Sequence, residues 1–161
     1  MKKTRTLIAS TAAVAALGLS ALGLSATVAF SAQDATRQPV QYGADQGEYT
    51  PDGFALRGRA EVTQGTNRIR ADAIRGFTNN GQLSRVEASG NVYFVTPDQS
   101  MRGNNAVYNL NDGTVVVTGD VVLTQGQNVL SGGRLVYNVR TETARIESAG
   151  NRVRGVFYPS N

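Results

Sequence analysis

Chemistry in this chain would have to rest on carboxylates, hydroxyls and arginines, because its 161 residues include no cysteine and no histidine. That removes thiolate nucleophiles, imidazole general bases, zinc fingers and the usual haem and copper ligand sets, together with any disulfide framework. A glycosidase would need two opposed carboxylates in a cleft. Twelve acidic residues make some close pair inevitable, yet none of them recurs at a fixed spacing or clusters. The expectation is therefore a protein that is not an enzyme. Asn109-Leu110-Asn111-Asp112-Gly113 has the beginnings of a calcium loop, but the distal glutamate is missing and a hairpin turn accounts for the same residues. No metal and no cofactor are expected.

The cations need sorting before they mean anything. Of sixteen, Lys2, Lys3 and Arg5 precede an Ala/Leu/Val-rich stretch, Leu7 to Leu24, which ends in the small residues around Ala29-Phe30-Ser31. Residues 1–31 thus read as a secretory signal peptide, with retention as a membrane anchor the alternative. Residues 32–161 carry thirteen arginines, no lysine and twelve acidic residues, a net charge of 13 − 12 = +1. Charge gives no support for nucleic-acid binding once the signal is set aside. Arg57, Arg59, Arg68 and Arg70 could fork onto phosphates, or form a solvated outer face. A segment of this size can bury one core without staples.

The elements that would position any site come in repeats. Segments beginning at Gly58, Gly90 and Gly119 align, and a partial copy begins at Gly150, giving spacings of 32, 29 and 31 residues. The repeats are 58–89, 90–118, 119–149 and a partial 150–158. The first and third share Thr-Gln-Gly-x-Asn at Thr63 to Asn67 and Thr124 to Asn128. Asp52-Gly53, Asn79-Asn80-Gly81 and Asp112-Gly113 supply the positive φ values of tight hairpins. Each unit reads as strand, Gly turn, strand, Asx-Gly turn, strand, with no 3.6-residue stripe for a helix.

Period-two alternation assigns the faces. Ala60 and Val62, Val92 and Phe94, and Val121 and Leu123 point one way, joined by Ile69, Met101 and Leu130 from second strands and by Val86, Ala88, Val115, Val117 and Ile146 from third strands. Stacked, they make one apolar lining. Tyr108 and Tyr137 fall outside the strict alternation. Either a bulge after Gly103 or Gly132 turns them inward, or they pack at strand ends. The fold class expected is all-β, an open roll of repeated short antiparallel strands, without helix after the signal.

With the units laid out, the sequence resembles the OstA-like family of LptA, the periplasmic bridge of lipopolysaccharide transport. Gln38-Pro39-Val40 with Ala44-Asp45 looks like the family's opening strand. Leu56, Gly58, Val62, Gln64-Gly65 and Ala71-Asp72 match its signature, and Val117 to Gly126 is a second copy. The similarity spans about residues 38–158. It departs at Thr96-Pro97-Asp98-Gln99, which replaces Gln-Gly, at Gly132-Gly133, which replaces Ala-Asp, and at Arg152 and Arg154, which stand where Val92 and Phe94 stand in their unit.

The resemblance implies an open twisted β-jelly roll in the periplasm, whose apolar interior shields the acyl chains of lipopolysaccharide. Lipid-binding candidates are then Val40, Tyr42, Val62, Ile69, Val92, Phe94, Met101, Val121 and Leu123. It also implies head-to-tail self-association and joining to inner-membrane LptC-type and outer-membrane LptD-type relatives, through edge strands carrying Val40 and Tyr42 at one end and Val153, Val156 and Tyr158 at the other. Two other readings stay open: an anchored LptC-like relative, and a polysaccharide-binding or structural β-repeat protein. The first would retain residues 1–31 in its mass. The second calls for aromatics on one flat face, whereas here the phenylalanines and tyrosines are scattered.

Overall fold

The computed structural model describes residues 38–150 and 152–159; the expected signal peptide, residues 1–31, lies outside the described residues. Ten strands account for most of them: β1 Val40–Gly43, β2 Gln46–Thr50, β3 Gly53–Gln64, β4 Asn67–Asn79, β5 Gln82–Val95, β6 Ser100–Asn109, β7 Thr114–Gln125, β8 Asn128–Asn138, β9 Thr143–Glu147 and β10 Arg154–Val156. Every pairing is antiparallel. From β3 to β8 each strand pairs with its neighbours in sequence, while β1 and β2 both pair with β3, and β9 and β10 both with β8. The result is an open all-β meander with a broken strand at each edge.

The strands are longer than the short ones expected, and the reason is one backbone device. The glycines that open the sequence repeats sit in the middle of strands. Gly58-Arg59, Gly90-Asn91 and Gly119-Asp120 each take two consecutive left-handed residues, with φ of 73 and 46, 74 and 48, and 79 and 48°. At each pair the ladder loses register, between Arg57 and Ala60, Ser89 and Val92, and Thr118 and Val121. These are bulges that bend the strand without ending it. What the sequence presents as the third strand of one unit and the first of the next is a single bent strand.

Because the bends lie side by side, the sheet folds along one line into two arms. One arm holds β2, the first halves of β3, β5 and β7, the second halves of β4, β6 and β8, and β9; the other holds β1, the complementary halves and β10. Across the bend, β3, β5 and β7 skip two residues and keep their inward parity, so Phe54 and Leu56 and then Ala60 and Val62 are all buried. Their partners skip one and reverse parity: in β4, Ile69 and Ala71 give way to Ile74. The same reversal in β6 and β8 turns Tyr108 and Tyr137 inward, where they are 4% and 2% exposed. Buried side chains of both arms form a single apolar cluster.

An exposed short polar side chain, Asp45, Asp72 or Asn104, crowds the glycine of each bend. A Cβ on Gly90 would lie 2.4 Å from Asp72 Oδ2, and one on Gly119 would lie 2.7 Å from Asn104 Nδ2. Asn91 Nδ2 donates to Asp72 Oδ2 at 2.9 Å, and Arg59 Nε donates to Asp45 Oδ1 at 3.1 Å. The Arg59 guanidinium holds the Asp45 carboxyl below its ordinary value. Gly90→Val, which combines a β-branched side chain with a left-handed φ and a collision, is expected to cost about 2–4 kcal/mol. Gly126→Ala, with φ 57° but nothing within 4 Å, should cost about 1 kcal/mol. Urea-unfolding midpoints of the two variants check the difference.

Candidate functional site

The apolar interior between the arms is the feature with functional content. Val62, Ile69, Val92, Phe94, Met101, Val121 and Leu123, expected to line a groove, are all buried in one cluster with side chains of the opposite arm. Phe94 lies at the centre, its ring centroid 6.4 Å from that of Tyr108 and 6.1 Å from that of Tyr137, both tilted. Tilted pairs at this range are favourable beyond the area they bury. Val40 is half-buried against the cluster. Tyr42 is 43% exposed and stacks on Phe54 at 4.7 Å, and its hydroxyl meets that of Tyr49, which raises its pKa.

Among the described residues the arms share no ladder across the interior: their strands pair only within the meander. At their tips they are tied by side chains. Tyr108, at the end of β6 in one arm, donates to Gln64 Oε1 in the other at 3.0 Å, and Gln64 Nε2 donates to the Gln38 carbonyl at 3.2 Å. Tyr137 reaches the Thr96 side chain; burial pushes its phenol above the ordinary tyrosine value, against the pull of Thr96. Beside this latch, Asn67 Nδ2 and Gln99 Oε1 are buried with no hydrogen-bond partner among the described residues. Sequence alternation alone missed the latch, because it joins residues 44 apart through a parity change at the bend.

At the C-terminal edge the interior reaches the surface. A hollow of about 380 Å³ is lined by Leu123, Leu130, Ala144, Ile146 and Val153, with Gln99, Gln125 and Glu142 on its rim. Leu130 is 41% and Val153 43% exposed. Alternation placed Leu130 inward; its cross-strand partner on β10 is Gly155, which has no side chain to cover it, and Leu130 lies at the mouth instead of in the core.

The outer face is mostly neutralised. Arg68 and Arg70 both approach Glu61, at 3.8 and 2.6 Å; Arg134 and Arg145 meet Glu147, at 2.8 and 3.4 Å; Arg85 meets Glu87 at 3.2 Å. Of the four arginines considered for phosphate, Arg59, Arg68 and Arg70 are therefore engaged by carboxylates. Asn109 and Asp112 serve the turn, Asp112 Oδ1 accepting from the Thr114 amide at 2.8 Å and Asn109 Oδ1 from that of Asn111 at 3.0 Å. Among the described residues no group of three acidic, histidine or cysteine side chains could hold a metal.

Two edges are open. The N-terminal edge carries Tyr42 and Tyr49, the latter 82% exposed; the C-terminal edge carries Val153, Val156, Phe157 and Tyr158, at 43, 56, 76 and 56%. Tyr158 is held by its amide, which donates to Asn128 Oδ1 at 2.9 Å.

With the bent meander, its interior and its edges in place, comparison with known proteins is decisive. Residues 43–143 match the family described as LptA/(LptD N-terminal domain) LPS transport protein. The chain belongs to this family. A relative from Rhizobium meliloti (strain 1021), an uncharacterised protein, is 30% identical over 172 residues, covering 96% of this chain and 92% of its own. The crystal structure of LptH, the LptA homologous periplasmic component of the lipopolysaccharide transport device of Pseudomonas aeruginosa, superposes with a TM-score of 0.72 at 20% identity, over 78% of this chain and 99% of that one. The fold is thus the open roll of LptA-like proteins, as the opening strand, the Gln-Gly turns and the Ala-Asp bends implied.

A packed interior and an open mouth respond differently to truncation. Phe94→Ala, inside the packed cluster, is expected to cost about 3–5 kcal/mol. Leu130→Ala, at the mouth, should cost about 1 kcal/mol or less. Chemical denaturation of the two variants without lipid measures both.

Proposed function

We propose that this chain is a non-enzymatic lipopolysaccharide carrier of the periplasm, exported by its N-terminal segment, which takes acyl chains into the apolar space between its arms. The observation that carries the reading is the mouth at Leu123, Leu130, Ile146 and Val153, where the apolar lining comes to the surface. Each methylene moved from water into such a lining contributes about 0.8 kcal/mol. The inner members of the lining, Val62, Ile69, Val92, Phe94, Met101, Val121 and Leu123, are packed against the opposite arm, so deeper seating requires the arms to part. Parting breaks side-chain packing and the tyrosine latch but no backbone ladder, since the arms are joined by covalent bends. A photo-crosslinking residue at position 130 should capture lipopolysaccharide in the cell, while one at 145, on the outer face, should not. Silence at both positions in a folded, exported protein would sink the carrier reading.

The two open edges support a second part of the same reading. An unpaired edge strand with exposed apolar side chains is a template for another strand, which proteins ordinarily block. The N-terminal edge with Val40 and Tyr42 and the C-terminal edge with Val153, Val156 and Tyr158 differ in sequence, so joining one to the other is head-to-tail and does not close. Copies of this chain, and LptC-type and LptD-type relatives at the two membranes, are the proposed partners. Sedimentation should show assembly that grows with concentration. The double variant Phe157→Asp, Tyr158→Asp should remain monomeric while retaining its melting temperature.

A further inference from the structure

The C-terminal departure from the repeat pattern, Arg152-Val153-Arg154, has a structural outcome that lipid shielding leaves unexplained. Val153 lines the apolar mouth, while Arg152 and Arg154 line a separate hollow of about 380 Å³ that also takes in Arg102, Asp120, Val122 and Ser131. The register explains why these groups share a face. Arg154 pairs with Ser131, Ser131 with Val122, and Val122 with Arg102. Cross-strand partners point to the same side, so this row lies on the outer face, with the short side chains of Ser131 and Val122 as its floor. Three strand spacings set the Arg102 and Arg154 backbones about 14 Å apart, within the combined reach of two arginine side chains.

Elsewhere on this face Arg70, Arg85 and Arg134 stand against Glu61, Glu87 and Glu147, and Arg57 and Arg75 line a hollow that also holds Glu48 and Glu87. Arg102, Arg152 and Arg154 make no ion pair among the described residues, and the hollow carries three cations against Asp120, a local charge of 3 − 1 = +2. Guanidinium groups converging on a recess are suited to a phosphate, which they grip through paired N–H donors.

We propose that Arg102, Arg152 and Arg154 form a phosphate-binding hollow for the headgroup of an amphiphile whose acyl chain occupies the mouth on the other side of the same edge segment. The chain half of this assignment rests on the carrier reading; the phosphate half does not. Alternation along residues 152–154 supplies the geometry, presenting cations outward and valine inward within two residues. Acyl chain and phosphate are then read on opposite sides of one segment.

Three probes separate the possibilities in titrations of the purified protein at low ionic strength: palmitoyl lysophosphatidate, monopalmitoylglycerol, which has the same chain without phosphate, and inorganic phosphate. Lysophosphatidate is expected to bind about tenfold more tightly than monopalmitoylglycerol. R102Q/R154Q should erase that preference and leave monopalmitoylglycerol binding unchanged, whereas R145Q should alter neither. The replaced arginines are exposed, and an unchanged melting temperature verifies the fold. Equal binding of the two amphiphiles, or a preference that survives R102Q/R154Q, overturns the hollow and leaves the carrier reading intact. Binding of inorganic phosphate, lost in R102Q/R154Q, with neither amphiphile bound, would establish a site for free phosphate and overturn both the headgroup assignment and the carrier reading. If none of the three binds, both proposals fail.

Discussion

The double left-handed bend in the middle of every second long strand is the constraint on which the molecule depends. A meander of antiparallel strands is a ribbon with two faces, one of which must be covered. Here the covering comes from the same ribbon, folded along the line of Gly58-Arg59, Gly90-Asn91 and Gly119-Asp120. Glycine at the first position of each pair meets both the positive φ and the close approach of Asp45, Asp72 or Asn104 from the neighbouring strand. An L-residue with a Cβ there would be strained twice over.

That bend divides the mechanical roles. Backbone hydrogen bonds run within the meander and hold each arm rigid, while the arms meet through side chains alone. The interior is close-packed around Phe94, and at the tips Tyr108 is bonded to Gln64 and Tyr137 lies against Thr96. A cleft closed by packing and a few polar ties can exchange one set of apolar neighbours for another without unfolding. That property suits the proposed carrier role, in which packing between the arms would be replaced on opening by packing of the same kind against the lipid.

The edges show why such a sheet remains open. β1 and β2, and likewise β9 and β10, are the two halves of strands interrupted at the bend, at Ala44-Asp45 and around Ala149-Gly150. Short, broken edges of this kind are less aggregation-prone than a long flat one. They retain exposed tyrosine, phenylalanine and valine side chains where a partner strand can add.

Alternation and turn chemistry determined much by themselves: an all-β chain, hairpins at Asp52-Gly53, Asn80-Gly81 and Asp112-Gly113, and the inward direction of Val62, Val92, Phe94, Val121 and Leu123. These are local properties, set by which residues tolerate positive φ and by the strict period of a strand. The repeat itself was legible, and so was the family resemblance that rests on it. Tertiary structure alone decided that the repeat-opening glycines are bends within strands, because a bulge and a turn ask for the same residues and differ only in whether pairing resumes beyond them. It alone decided the fate of Tyr108 and Tyr137, whose parity depends on whether a strand skips one residue or two, as its neighbour requires. And it alone separated Leu130 and Val153 at the mouth from Phe94 in the packed centre. Leu130 and Phe94 obey the same alternation while Val153 is out of phase with its repeat, and only the packing around each separates the exposed pair from the buried ring.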